Sequence, residues 1–330
     1  MPNPTVASID TPPALSVLDL IQVYTVTGDR TATALEDFSL RAERGETISI
    51  VGGRGAGKTV AMRILFGRTA PTSGSLQFNG LTNLDWSSPA SWRERLEMQL
   101  VDQEAERSLQ PSASARDIIV EALRVRERHL PRAQLVASAT SWLSRTGLHG
   151  SVIHRPSATL SGGEKQKLAF CRAISLQPKL LGLDSPFTKI DAAGRAELTN
   201  LLLDLQAERP LTVLVASHDF NWARFVSERF LVLYLGRVVE SGSTPLLAYG
   251  AAHPYTRTLM GAQHTATEPR RRLRLVLDGV TPDLLEPPNG CHFHPRCPRS
   301  AKGQCDTNVP ELRQTRVGQD HWVACFFPHL

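Results

Sequence analysis

The run Val51-Gly52-Gly53-Arg54-Gly55-Ala56-Gly57-Lys58-Thr59 matches G-x-x-x-x-G-K-[ST] at every fixed position, the spacing of a loop that cradles phosphate. Its glycines let successive backbone N–H groups turn toward the α- and β-phosphates, and a helix starting at the end of the loop adds the positive end of its dipole. Lys58 is placed to reach the β- and γ-phosphates. The Thr59 hydroxyl is placed for Mg²⁺, a hard cation that takes oxygen ligands and keeps several waters. The flanks supply the elements such a loop needs. Thr47 to Val51 is a β-branched apolar run that reads as a buried strand, and Val60 to Phe66 is helical in composition.

Other residues could join this chemistry. Leu180-Leu181-Gly182-Leu183-Asp184 reads as a buried strand ending in a carboxylate, the expected partner for Mg²⁺ held by Thr59. Leu160-Ser161-Gly162-Gly163-Glu164-Lys165-Gln166-Lys167 starts a helix with two glycines, which makes a second anion site. Gln103 follows a strand at Met98 to Val101, and Ser217-His218-Asp219 ends a strand at Leu211 to Ala216. Tyr24 closes the first strand, where an aromatic ring either stacks on an adenine or fills the core or rim.

Composition sets limits on the rest. The 330 residues are enough for two or three domains or subdomains, and 41% hydrophobic residues is typical of a globular chain. There is no apolar run of roughly 18 residues to span a bilayer, and Met1 to Pro13 lacks the apolar core of a signal peptide. A cytoplasmic location is therefore expected. The net charge of +5 is compatible with nucleic acid, an anionic membrane face or a nucleotide, and no long basic tract selects among them.

In chain order, Leu15 to Tyr24 and Ala34 to Leu40 read as opening strands. After the phosphate loop come a strand at Ser75 to Phe78 and a short helix at Trp92 to Leu96. From Ala113 to Gly147 the period turns helical, with Ile118, Ile119, Ala122 and Leu123, then Leu135, Ala139, Trp142 and Leu143, and Pro131 opening the second helix. A helix at Ala193 to Leu205 follows the Asp184 strand. Beyond Gly242 the pattern loosens, and from Gly279 it is rich in Pro, Gly and Cys.

With these motifs assembled, residues 15 to 328 resemble the ATP-binding subunits of ABC transporters, and among them those of the oligopeptide, dipeptide and nickel importers. In that family's terms Tyr24 is similar to the adenine-stacking aromatic and Gly52 to Thr59 to the Walker A loop. Gln103 resembles the Q-loop glutamine that joins Thr59 and Asp184 at Mg²⁺. Ser161, Gly162, Gly163 and Glu164 resemble the signature, which meets ATP across a dimer. Asp184 corresponds to the Walker B aspartate, Ile190-Asp191 to the D-loop and His218 to the switch histidine. The subfamily likeness rests on Ser108-Leu109-Gln110-Pro111, on His253-Pro254-Tyr255-Thr256, and on Gly290-Cys291 through Arg296-Cys297-Pro298.

The resemblance implies an α/β fold: a RecA-like P-loop ATPase core, an antiparallel β subdomain and a helical subdomain at about 104–170. Together these make a nucleotide-binding domain at 14–250, followed by a Cys-rich C-terminal region at 251–330. It further implies head-to-tail dimers in which ATP lies between one subunit's phosphate loop and the other's signature, driving two transmembrane permease subunits fed by an extracytoplasmic solute-binding protein. The place of work would be the cytoplasmic face of the inner membrane, with no nucleic-acid partner.

The sequence departs from that family at one chemical position. Ser185 stands where the family has its catalytic glutamate, and a serine is neither anionic nor long enough for that role. The hydrolytic site reads as degenerate beside an intact binding loop, which points to a heterodimer with a second ABC ATPase that keeps its glutamate. Substitution by another carboxylate, such as Asp191, is the alternative. Milder departures are Glu164 for glutamine, Lys167 for arginine and Phe187 for a small residue. Two other readings carry different expectations: a soluble ABC-type ATPase in a non-transport complex, as in carbon–phosphorus lyase accessory proteins, or a regulatory subunit that binds ATP without turnover.

Four of the five cysteines, Cys291, Cys297, Cys305 and Cys325, lie in the last forty residues, and Cys171 is isolated. Their spacing, Cys-x5-Cys-x7-Cys-x19-Cys, lacks a Cys-x2-Cys knuckle, so a thiolate site for zinc, an iron-sulfur cluster and plain reduced thiols all stay open. Some members of the resembled group carry a four-iron cluster in a similar tail, which implies a 4Fe-4S cluster here with zinc as the runner-up. His292 and His294 are further possible ligands. Arg270-Arg271-Arg272 with Arg274 reads as a solvated linker or a contact for lipid head groups.

Overall fold

The computed structural model describes residues 12–26, 30–82, 91–261, 282–316 and 318–329. Arg270, Arg271, Arg272 and Arg274 lie outside these residues. The chain opens with strands β1 (Leu15–Val26) and β2 (Arg30–Ala42), which pair antiparallel and run longer than the sequence pattern suggests. With β4 (Ser73–Phe78) and β5 (Leu81–Thr82) they form a four-stranded sheet in the order β2-β1-β4-β5.

The second sheet carries the site. It contains β3 (Thr47–Val51), β6 (Met98–Val101), β7 (Leu180–Asp184), β8 (Thr212–Ser217), β9 (Arg229–Tyr234), β10 (Arg237–Ser243), β11 (Arg313–Gln314) and β12 (His321–Val323), in the order β11-β12-β10-β9-β3-β8-β7-β6. Pairing from β9 through β6 is parallel. Parallel strands are covered on both faces, so each reads as a continuous apolar run. Residues alternate between two cores along these strands. Leu180, Leu214 and Ala216 pack with β1, β2 and α1 (Lys58–Leu65), whereas Leu181, Leu183, Val213 and Val215 pack with the helices opposite.

Those helices are α3 (Ala115–Arg126), α4 (Arg132–Arg145), α5 (Gly162–Ser175) and α6 (Ala192–Glu208), with the short α2 (Trp92–Glu97) leading into β6. Ser114 caps α3 by accepting from the Asp117 N–H at 3.1 Å. Ile118, Ile119, Leu123, Leu135, Ala139 and Leu143, the residues that set the helical period, are all buried in the core they share with α5. Three helices follow: α7 (Phe220–Val226), α8 (Thr244–Gly250) and α9 (Pro254–Gly261). None of the helices among the described residues is long and apolar enough to cross a membrane.

The tail is tied into the main sheet, which its composition did not suggest. Strand β12 pairs with Glu240, Ser241 and Gly242 of β10. Glu240 is fully buried and accepts from His321 Nε2 at 2.7 Å, from the Ala252 N–H at 2.6 Å and from the His253 N–H at 3.0 Å. His253 in turn accepts the Tyr255 N–H on its Nδ1 at 3.1 Å. Burial lowers the His253 pKa from 6.5 to about 4, against the pull of Glu240. The imidazole is therefore neutral in the fold and gains a proton on unfolding, so between those two values the unfolded chain binds more protons and stability rises with pH. Acidification from pH 7 to pH 5 should remove about 2 kcal/mol of stability through this residue alone. Urea unfolding at both values checks this. His253→Asn, which keeps an acceptor but cannot titrate, should shrink the difference by that amount.

Candidate nucleotide site

The phosphate loop leaves β3 at the centre of the sheet and ends in α1. Gly57, the residue before α1, has φ +101°, and a side chain there would meet the Ala34 carbonyl oxygen at 2.6 Å. Only glycine fits that turn. Strand β9 approaches so closely that a Cβ on Gly52 would lie 2.3 Å from the Leu233 carbonyl oxygen. The open first turn of α1 leaves N–H groups facing the loop, with Gly53, Arg54, Gly55 and Ala56 forming its wall.

Lys58 Nζ donates to the carbonyls of Gly52 and Gly53, both at 2.8 Å. Burial lowers its pKa, while Asp184 opposes that by attracting the ammonium. Asp184, at the end of β7, is 2% exposed and takes a hydrogen bond from the Thr59 side chain, and among the described residues its Oδ2 has no hydrogen-bond partner. Burial raises its pKa against the influence of Thr59, Lys58 and Arg63. A buried carboxylate oxygen without a partner, beside a hydroxyl at the mouth of a phosphate loop, is a donor set that suits Mg²⁺. These are two of the three residues the sequence assigned to the metal, Gln103 being the third. Gln103 is exposed, with its N–H on Asp102 Oδ1 at 2.9 Å, and Asp102 acts on Asp184.

Ser185 follows Asp184 with φ +48°, and its N–H is bonded to the Ala216 carbonyl at 2.8 Å. A non-glycine residue in the left-handed region is uncommon and occurs often at functional turns. Ser185 lines a cleft of about 160 Å³ with Phe187, Arg195, His218, Asp219 and Trp222. His218 is exposed at its rim. The carboxylates nearby are engaged. Asp219 accepts from the Trp222 N–H at 3.1 Å and pairs with Arg195 at 3.0 Å, while Asp191 caps α6 by accepting from the Gly194 N–H at 3.0 Å. Phe187 is 4% exposed and sits edge-on between Phe170 and Trp222, which gives its large ring a packing role.

Ser161 caps α5 by accepting from the Glu164 N–H at 3.2 Å, and Glu164 returns the bond by accepting the Ser161 N–H at 2.7 Å. Glutamate serves that reciprocal cap as glutamine does, so Glu164 costs the helix nothing. A Cβ on Gly163 would lie 2.9 Å from the Lys189 carbonyl oxygen and one on Gly162 3.0 Å from the Lys189 side chain. These glycines let the loop after β7 press on the start of α5. Tyr24, on β1 opposite Ala32, is 39% exposed, which rules out a core role for its ring.

The four tail cysteines are near enough to act on one another, with Cys291, Cys297 and Cys305 all facing Cys325 electrostatically. Among the described residues no group of three or more His, Cys, Asp or Glu side chains is placed to hold a metal ion. Each sulfur is turned instead to a backbone N–H: Cys291 to Phe293, Cys297 to Arg299, Cys325 to Phe327 and Cys305 to Ala301. Burial pushes the Cys291 and Cys297 thiols up and the Cys325 thiol to about 11. The geometry therefore gives no support to a 4Fe-4S cluster or zinc at Cys291, Cys297, Cys305 and Cys325, nor to His292 and His294 as ligands. Cys171, raised to about 12 by complete burial, is a core residue.

Residues 35–188 match the family model described as ABC transporter, and residues 239–305 match the model of the oligopeptide/dipeptide transporter C-terminal region. The chain is 34% identical to the dipeptide transport ATP-binding protein DppF of Escherichia coli over 319 residues, 95% of this chain and 94% of that protein. It belongs to the ABC transporter ATP-binding family. DppF of Haemophilus influenzae is 33% identical over 89% of this chain and 88% of its own. Among solved structures, the ATP-binding cassette MJ0796, a dimer in a post-hydrolysis state with ADP and Pi, superposes with a TM-score of 0.66 at 25% identity, covering 70% of this chain and 98% of that one. The cassette fold and ATP binding follow from this membership. Tyr255 and the Arg195–Asp219 pair are residues of this neighbourhood to which the sequence assigned no role. The signal for Tyr255 was its place in His253-Pro254-Tyr255-Thr256, which marks a subfamily without naming a contact.

Proposed function

We propose that this chain is an ATP-binding subunit of a peptide-class ABC importer, working at the cytoplasmic face of the inner membrane beneath two permease subunits supplied by a solute-binding protein. Residues 14–250 form its nucleotide-binding unit and 251–330 its transporter-specific region. Gly52 to Thr59 hold the phosphates, Thr59 and Asp184 hold Mg²⁺, and Tyr24 stacks on the base. The metal supplies charge neutralisation at the phosphates, and Lys58 adds a second cation there.

The observation that carries the finer reading is the state of the cleft behind Asp184. Hydrolysis needs a group that positions or activates the attacking water. Ser185 is too short and uncharged, and Asp191 and Asp219 are committed to caps and to Arg195. The chain therefore keeps ATP at its own phosphate loop. Turnover takes place in the paired site, built from a second ATPase's phosphate loop and glutamate and completed by Ser161, Gly162 and Gly163 from this chain.

A tagged copy purified from membranes should carry with it two permeases and a second ABC ATPase that has a glutamate after its Walker B aspartate. Recovery with permeases as a homodimer overturns the division of labour, and recovery in a soluble enzyme complex overturns the transport assignment.

A further inference from the structure

The hydroxyl of Tyr255 accepts a hydrogen bond from the Gly53 N–H at 2.6 Å, joining two residues 202 positions apart. The same residue is held on its other side, since the Gly53 carbonyl accepts from Lys58 Nζ at 2.8 Å and from the Ala56 N–H at 3.3 Å. A Cβ on Gly53 would lie 3.2 Å from the phenol oxygen, so glycine at this position admits the close approach. Tyr255 is 3% exposed and cannot swing away without opening its surroundings. Its ring lies 4.6 Å from that of Tyr234 and 5.4 Å from that of Phe293, which comes from the tail. Its own N–H is fixed on His253, whose N–H is fixed on the buried Glu240. Burial also holds the phenol's pKa up at about 12, so no negative charge stands beside the phosphates.

We propose that Tyr255 is a positioning residue of the nucleotide site: its hydroxyl fixes the Gly53 peptide and so sets the loop's shape before phosphate arrives. In the nucleotide-free protein Lys58 holds the carbonyls of Gly52 and Gly53. When Lys58 leaves them for phosphate oxygens, the Tyr255 bond still holds the Gly53 N–H, alongside the longer Ala56 N–H bond to the Gly53 carbonyl. Preorganisation of this kind raises affinity, because the ordering cost is met in folding rather than in binding. The C-terminal region thereby becomes part of the nucleotide site, reaching it through Tyr255 on α9 and Phe293 behind it.

This inference rests on Gly52 to Thr59 binding ATP, and calorimetric titration of the full chain with Mg-ATP separates the two claims. Tyr255→Phe keeps the ring and its packing while removing the hydroxyl. It should raise the Kd about tenfold, or about 1.4 kcal/mol, and shift the nucleotide-free Tm by no more than ~4 °C. Tyr234→Phe is the comparison, because among the described residues its hydroxyl makes no hydrogen bond to the phosphate loop while its ring shares the same packing; it should leave the Kd unchanged. An unchanged Kd in Tyr255→Phe, or equal weakening in both variants, overturns the proposal. Lys58→Ala serves as the site control: if it binds as the parent does, the nucleotide assignment itself has failed.

Discussion

Lys58→Ala should weaken Mg-ATP binding by a hundredfold or more. In the free protein the side-chain nitrogen is fastened to the Gly52 and Gly53 carbonyls at 2.8 Å, at the mouth of the cradle, where burial lowers its pKa and Asp184 opposes that. Charge-assisted bonds from an amine to phosphate oxygens are worth roughly 1.5–3 kcal/mol each, so losing two of them accounts for about a hundredfold to a ten-thousandfold change. The fold should survive, because α1 begins at this residue and alanine is the best helix former. Titration calorimetry with Mg-ATP, alongside thermal unfolding without nucleotide, checks both halves. Parental affinity in a folded variant contradicts the site.

The second large effect belongs to the signature. In the assembled transporter, Ser161→Arg should bring steady-state ATPase to near background. This residue completes the competent site formed with the second ATPase, and a long cation in place of a hydroxyl blocks it. Loss of the Ser161 cap costs α5 only about 1 kcal/mol, too little to explain a loss of turnover by unfolding. Removing the partner's glutamate should have the same effect. Ser185→Glu should do the opposite, leaving transport present with equal or higher ATPase. Its side chain enters a cleft whose own carboxylates are already paired, although the left-handed backbone at φ +48° limits how well a new carboxylate is aimed. ATPase lost in Ser185→Glu, or kept in Ser161→Arg, contradicts the assignment of roles.

Much of the cassette was legible because its signals are local. Thr47 to Val51 reads as a buried strand and is buried at every residue, and the Leu180 to Asp184 run behaves likewise. The three- and four-residue spacing from Ile118 to Leu143 recovers α3 and α4 because helical burial has a period the chain must repeat. Where information is non-local the reading ran short. Strand β12 is three residues long, too short to display alternation, and it forms only because β10 offers an edge. The link from Tyr255 to Gly53 spans 202 positions and leaves no mark in spacing. The cysteine pattern is a case of the same kind: four cysteines in a short tail suggest a metal, but spacing does not fix the direction of each sulfur, and no metal-binding group stands among the described residues.

The most direct test of the account is steady-state ATPase of this chain purified free of any second ATPase, set against the assembled transporter at equal concentration of sites. The chain alone should bind Mg-ATP and turn it over at a small fraction of the complex's rate, because both sites of any homodimer would carry Ser185. If the chain alone hydrolyses ATP as fast as the complex, the shared asymmetric pair is wrong, and another residue of this chain positions the water.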